Sequence, residues 1–290
     1  MNVHRRAFEV MGTVVSLALR GRYAEGPEAE AAWAEVTASL RHVDAVFSTY
    51  RPDSVVNRWG RGELALVDAP PELAEVLTLA DVAREASDGA FDIEAVRSPY
   101  GGGPDPSGVV KGWAVQRAAA ALDRLTATDY CLAAGGDLVC RTRVPGAPAW
   151  RIGIEDPADP RRLIAVLPVA DGAVATSGSA HRGAHIRDPR TGTAPDGLRQ
   201  VTVVAPDLVA ADVEATTAFV LGERGVPWLL ARGRTGVVVG SDGSVATYGD
   251  GPVRSRWSSS APSSSPSSSR SSSLGPASRE PASPLSSSRP

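Results

Sequence analysis

Apolar positions along the chain change their period several times. Phe8 to Leu19 (FEVMGTVVSLAL) is β-rich. Trp33, Val36, Leu40, Val43 and Phe47 then recur at helical spacing and predict a helix over about Ala29 to Phe47. Leu73, Val76, Leu77 and Ala80 mark a second helix, stopped near Gly89. A third starts near Lys111, with Ala114, Ala118, Ala121, Leu122 and Leu125 on one stripe. Strands are expected at Tyr130 to Ala134, Leu138 to Thr142, Trp150 to Glu155, Leu163 to Val169, His185 to Arg187 and Val201 to Ala205. A helix over Ala210 to Leu221 follows. GVVVG and SVATYG then flank Ser241-Asp242-Gly243, a hairpin signal. No βαβ unit repeats and no GxGxxG occurs. This order predicts an α+β fold, with mixed or antiparallel sheets and packed helices, rather than a doubly wound sheet.

From Ser255 the pattern stops. Ser and Pro dominate to Pro290, and Trp257 and two leucines cannot build a core there. Such a segment cannot offset its ordering entropy, so the expected division is a folded domain over 1–254 and a disordered tail over 255–290. The 290 residues are 42% hydrophobic with a formal net charge of -3, ordinary for a globular protein with a real core. Acidic and basic residues are interspersed, without the concentrated basic face of a nucleic-acid binder. No apolar run approaches the roughly 20 residues of a membrane span, and no signal peptide or lipid-bearing cysteine stands near the start. Cys131 and Cys140 are too few for a disulfide framework. The expected compartment is the cytoplasm.

Five stretches could carry chemistry. Asp105-Pro-Ser-Gly-Val-Val-Lys-Gly112 places a turn and a lysine at an amphipathic helix, suited to an anion. Taken alone, it reads as a helix cap with a solvated lysine. In Ala211-Asp-Val-Glu-Ala-Thr216 the four-residue spacing puts Asp212 and Thr216 on one helical face, two hard oxygens that suit Mg²⁺. The other reading is an Asp helix cap with Thr in the first turns; Glu214 points elsewhere, into solvent. Ala175-Thr-Ser-Gly178 would let backbone approach a ligand. In His185-Ile-Arg-Asp-Pro-Arg-Thr-Gly192, His185 suits proton transfer near neutral pH and Arg190 either grips phosphate or pairs with a carboxylate. Gly135-Gly136 reads as a hairpin turn that would set Cys131 opposite Cys140, or as backbone brought close to a ligand. Reduced cysteines are expected there rather than a bridge.

Taken together and in order, these segments resemble the FAD:protein FMN transferase (ApbE-type) family. The matching pieces are MGT (Met11 to Thr13), TYRPDS (Thr49 to Ser54), DGAFD (Asp88 to Asp92), DPSGVVKGWAV (Asp105 to Val115), GGD (Gly135 to Asp137), WRIGIEDP (Trp150 to Pro157), ATSG, HIRDPRTG and ADVEATTAFVLG (Ala211 to Gly222). The family's usual Glu and Asn beyond the TYRPDS serine are replaced by Val55 and Gly60, and the stretch between Asp92 and Asp105 is short and glycine-rich. The resemblance implies an α+β enzyme that binds FAD with Mg²⁺ and passes FMN to a threonine hydroxyl of an acceptor protein, releasing AMP. It implies FAD contacts at Met11, Tyr50, Ala90, Phe91, Asp92, Asp105, Lys111, His185 and Ile186. It further implies metal ligands at Asp212, Thr216 and the carbonyl of Val110, with His185 accepting the threonine proton. Two other outcomes share such a site: an FAD pyrophosphatase giving FMN and AMP, and a flavin-binding protein without turnover.

Overall fold

A computed structural model describes residues 2–179, 186–250 and 254–255. The chain divides into two units, Met1–Trp257 and Ser258–Pro290, and every described residue lies in the first. The expected tail therefore lies outside the described residues, apart from Ser255.

The β-rich start is a hairpin, β1 (His4–Val10) and β2 (Thr13–Gly21), turning at Met11-Gly12. Helix α1 (Pro27–Phe47) follows, with proline at its first position and Glu28 and Glu30 in a first turn whose free N–H groups favour acidic side chains. Next come the short α2 (Val55–Gly60), α3 (Pro71–Ala86) and α4 (Ser107–Ala119). Strands β3 (Thr128–Ala134), β4 (Asp137–Arg141), β5 (Trp150–Asp156), β6 (Asp159–Val169), β7 (Gly172–Gly178) and β8 (Leu198–Ala205) precede α5 (Leu208–Leu221) and α6 (Gly225–Leu230). The hairpin β9 (Thr235–Gly240) and β10 (Val245–Tyr248) and a two-residue β11 (Arg254–Ser255) complete the order.

Eight strands form one sheet in the order β1-β2-β3-β4-β7-β8-β9-β10, and β11-β6-β5 form a second. Every paired neighbour is antiparallel. Alternation along the strands of the large sheet feeds two cores. Val139, Ala173, Ala175, Val201 and Val203 face the helices, with Val36 and Leu40 of α1, Ala114 of α4 and Ala215 of α5. Leu138, Cys140, Val174, Val237 and Val239 face the small sheet, against Trp150, Ile154, Leu167 and Val169. The result is three layers: helices, large sheet, small sheet. Each such Leu or Val taken fully out of water contributes roughly 1.5–3 kcal/mol.

The α+β expectation holds, and most elements fall where the periodicity places them. Three details differ. The third helix begins at Ser107 rather than near Lys111, so Lys111 stands in its second turn. Ile186 and Arg187 lie in irregular backbone rather than a strand, while His185 lies outside the described residues. Ser255, the first residue of the expected tail, pairs with Ala165 of β6, next to Arg254 on Val166.

Candidate active site

Two hairpin turns come together at one end of the large sheet. Met11 and Gly12 both have positive φ (53° and 66°), as a two-residue turn between Val10 and Thr13 demands. For methionine this backbone costs on the order of 1–3 kcal/mol, a strain typical of functional sites. The β3–β4 turn uses Gly135 and Gly136, also at positive φ, between the paired Ala134 and Asp137. The turns touch: a methyl at Gly135 would lie 2.7 Å from Thr13 Oγ1. The last residues of β7, Ser177 and Gly178, reach the same end, because Leu138 pairs with Val174 and β7 runs on past Asp137.

Helices α4 and α5 close over this end. Gly112 N donates to Asp212 Oδ2 at 3.2 Å. A Cβ at Gly112 would meet Leu208 O at 2.8 Å and Asp212 Cβ at 3.0 Å, so only glycine lets the two helices approach this closely. Asp212 does not cap α5; Asp207 does, its Oδ1 accepting from Ala210 N at 2.9 Å. Asp212 instead stands inside the second turn, 4% exposed. Burial pushes its carboxyl up to about 7, with Lys111 opposing that rise and Asp137 adding to it. Lys111 Nζ lies 3.6 Å from Asp212 Oδ1 and makes a closer ion pair with Asp137 Oδ2. Asp137 is 1% exposed. Its Oδ1 accepts from Thr176 N at 3.1 Å, and its Oδ2 faces the Lys111 ammonium. Thr216, one turn past Asp212, shares a 2.9 Å hydroxyl–hydroxyl hydrogen bond with Ser177. Val110, also expected at the metal, is buried on α4 next to Lys111.

The other expected residues lie in the following surroundings. DGAFD forms a turn with positive φ at Asp88 and Gly89, leading into buried Ala90 and Phe91. The Phe91 ring packs on the start of α4, where a methyl at Gly108 would lie 3.2 Å from Cζ. Asp92 is half-buried, and its Oδ1 accepts from Glu94 N at 2.8 Å. Asp105 N donates to Val96 O at 3.0 Å, and its Oδ1 accepts from Ser107 N at 2.9 Å, joining this segment to α4. Tyr50 is 78% exposed on the loop after α1. Asn57 fixes that loop, its Nδ2 donating to Thr49 O at 3.1 Å and Arg51 O at 2.8 Å. Ile186 is half-buried against the main core. Arg190 pairs with Asp188 through two hydrogen bonds of 2.8 and 2.7 Å, which hold the Asp188 carboxyl below its usual range. The Arg190 stem lies 3.7 Å from a Cβ placed on Gly89, bringing the Ile186–Gly192 segment to the DGAFD turn.

Glu214 corrects an expectation. Rather than meeting solvent, it pairs with Arg234 at 2.5 and 3.0 Å. Sequence reasoning gave no role to Asp137, Ser177 or Asn57. Asp137 had a readable signal: an acid directly after Gly-Gly, at a strand position whose alternation points inward.

Among the described residues no three His, Cys, Asp or Glu side chains converge. The donor set is two buried carboxylates and a hydroxyl against one ammonium. Hard oxygens with a surplus negative charge suit a small divalent cation that keeps several waters. With Lys111 in contact with Asp137, the desolvated Asp212 carboxyl favours a cation in addition to Lys111.

A family model described as the ApbE family matches residues 11–98 and 103–254. This chain belongs to the ApbE family. The unmatched residues 99–102 lie within the short excursion closed by the bridge between Arg97 and Pro104. An FAD:protein FMN transferase of Haemophilus influenzae is 28% identical over 252 residues, covering 65% of this chain and 72% of that protein. One of Vibrio cholerae is 30% identical over 182 residues, covering 58% and 54%. Among solved structures, the ApbE protein of Thermotoga maritima superposes with a TM-score of 0.73 at 22% identity, covering 85% of this chain and 97% of that one. The apo flavinyl transferase ApbE of Pseudomonas stutzeri gives 0.71 at 24% identity, covering 85% and 94%. These likenesses show the fold.

Proposed function

We propose that this protein is a Mg²⁺-dependent FAD:protein FMN transferase, which cleaves the FAD pyrophosphate, passes FMN to a threonine hydroxyl of an acceptor protein and releases AMP. The observation that carries the reading is the Lys111–Asp137–Asp212 cluster beside Thr216 and Ser177, buried where the two hairpin turns and two helices meet. The names of the relatives over most of the folded length support it.

In this reading FAD lies with its pyrophosphate beside Lys111. Met11, Tyr50, Ala90, Phe91, Asp92, Asp105 and Ile186 hold the rest of the substrate. Asp212, Thr216 and the Val110 carbonyl hold Mg²⁺, which when bound neutralises the charge that builds on the pyrophosphate oxygens. Phosphoryl transfer needs such charge balance and alignment more than covalent help. The Lys111 ammonium draws the anionic substrate to the helix pair. The acceptor hydroxyl attacks the FMN-side phosphorus, a new P–O bond forms, and the bond to the AMP phosphate breaks with its electron pair leaving on AMP. The hydroxyl proton passes to His185, a role resting on that residue's place in the HIRDPRTG segment. Two thiols without a bridge suit a reducing compartment, and the cytoplasm is the location assigned.

The test uses FAD, Mg²⁺ and a candidate flavin-accepting domain, read as flavin fluorescence on a denaturing gel. Wild type should label the acceptor, and Asp212→Ala should not, while keeping its fold. His185→Ala should bind FAD yet label on the order of 10²–10⁴-fold more slowly, the usual reach of general-base help. Release of FMN and AMP without labelling of any acceptor would instead indicate a pyrophosphatase.

A further inference from the structure

The sharing of Lys111 between two buried carboxylates is unequal, and the inequality has a chemical use. Lys111 Nζ is in contact with Asp137 Oδ2 but stands 3.6 Å from Asp212 Oδ1. Asp137 is fixed from behind, since Thr176 N on the neighbouring strand donates to its Oδ1. It is also fixed in sequence, directly after the Gly135-Gly136 turn that sets the end of β4. Asp212 is held by α4 through Gly112 N. The ammonium is thus anchored to the sheet and stands farther from the helix carboxylate.

We propose that Asp137 is a positioning residue that holds the Lys111 ammonium away from Asp212, leaving the Asp212 carboxylate available to a divalent cation. Without the Asp137 charge, Lys111 would close the remaining gap to Asp212, since Coulomb attraction would then draw the ammonium to the one carboxylate left beside it. Lysine and the metal ion would then compete for one ligand. Asp137 acts here on the ion through Lys111, not as a ligand itself. The inference rests on the proposed metal site and adds a residue to it.

The experiment titrates Mn²⁺, an oxygen-seeking paramagnetic stand-in for Mg²⁺, and follows loss of the free-ion EPR signal, with no substrate present. Asp137→Asn keeps the shape and the acceptor for Thr176 N. It should bind Mn²⁺ about 10–100-fold more weakly, the usual cost of losing a group that orients a ligand. Asp137→Asn combined with Lys111→Met should recover wild-type affinity, because the competitor is gone. Lys111→Met alone should bind at least as tightly as wild type, a comparison that needs no change at Asp137. Unchanged binding by Asp137→Asn would overturn the proposal, as would a double variant no tighter than the single. Weaker binding by Lys111→Met would also overturn it. Failure of wild type to bind Mn²⁺ would remove the metal site itself, a separate outcome from any of these.

Discussion

At the scale of single residues, Asp212 gives the clearest pH signature. Its carboxyl is raised from 3.8 to about 7, chiefly by burial. A carboxyl raised in the folded state binds its proton more tightly there than in the unfolded chain. Its contribution to stability is therefore present below about pH 4 and lost as pH rises towards 7. In metal-free buffer, Asp212→Asn should melt above wild type at pH 8, and the difference should shrink at pH 5. A variant melting below wild type at pH 8 would contradict the buried, ionised carboxylate. The cysteines make a second test. Cys131 and Cys140 face each other across β3 and β4, as the Gly-Gly turn implied, and both are free. The hydrogen bond to Cys131 and then burial push the Cys140 thiol up. Protein purified under reducing conditions should yield two thiols when unfolded, with Cys140 slow to react while folded. No recoverable thiol would mean a cross-strand bridge.

At the scale of elements, what was legible depended on length and period. The α1 stripe runs over five turns, so its apolar face could be read directly. The β9–β10 hairpin announced itself through Ser241-Asp242-Gly243. Strand β7 was not legible, because GAVATSG is covered on both faces and carries small residues, leaving no alternation to read. Helix α2 is too short for a period, and only the Ser54 side chain accepting from Asn57 N marks its start. The start of α4 was placed late because Val109 and Val110 precede the alanine stripe yet belong to the same buried face. Of the site, the Asp212–Thr216 spacing was visible within one helix. Its union with Asp137 and Lys111 was not, since it depends on strand pairing across distant segments. The α4–α5 contact is correspondingly exposed to a single change. Gly112→Ala should destabilise the fold by about 1–3 kcal/mol, the usual cost of overpacking, and weaken divalent-ion binding. Chemical denaturation of the variant measures the first effect and the Mn²⁺ titration the second. Wild-type stability would show that the helices can part without cost.

At the scale of the whole molecule, the large sheet and the helices packed on it bring Lys111, Asp137, Asp212, Thr216 and Ser177 together where the turns gather. Among the described residues no helix is long and apolar enough to cross a membrane. The pairing of Arg254 and Ser255 with β6 moves the boundary for truncation. A chain ended after Trp257 should melt with wild type, whereas one ended after Val253 should melt lower, having lost β11. Equal melting of the two would make that strand dispensable. The central claim is that the Lys111–Asp137–Asp212 cluster serves FMN transfer. The most direct measurement is the intact mass of a candidate acceptor domain after incubation with the protein, FAD and Mg²⁺, in parallel with Asp212→Ala. The account predicts one FMN added per acceptor, mapped by fragmentation to a threonine through a phosphoester, and none with the variant. Equal addition by wild type and a folded Asp212→Ala protein would contradict it.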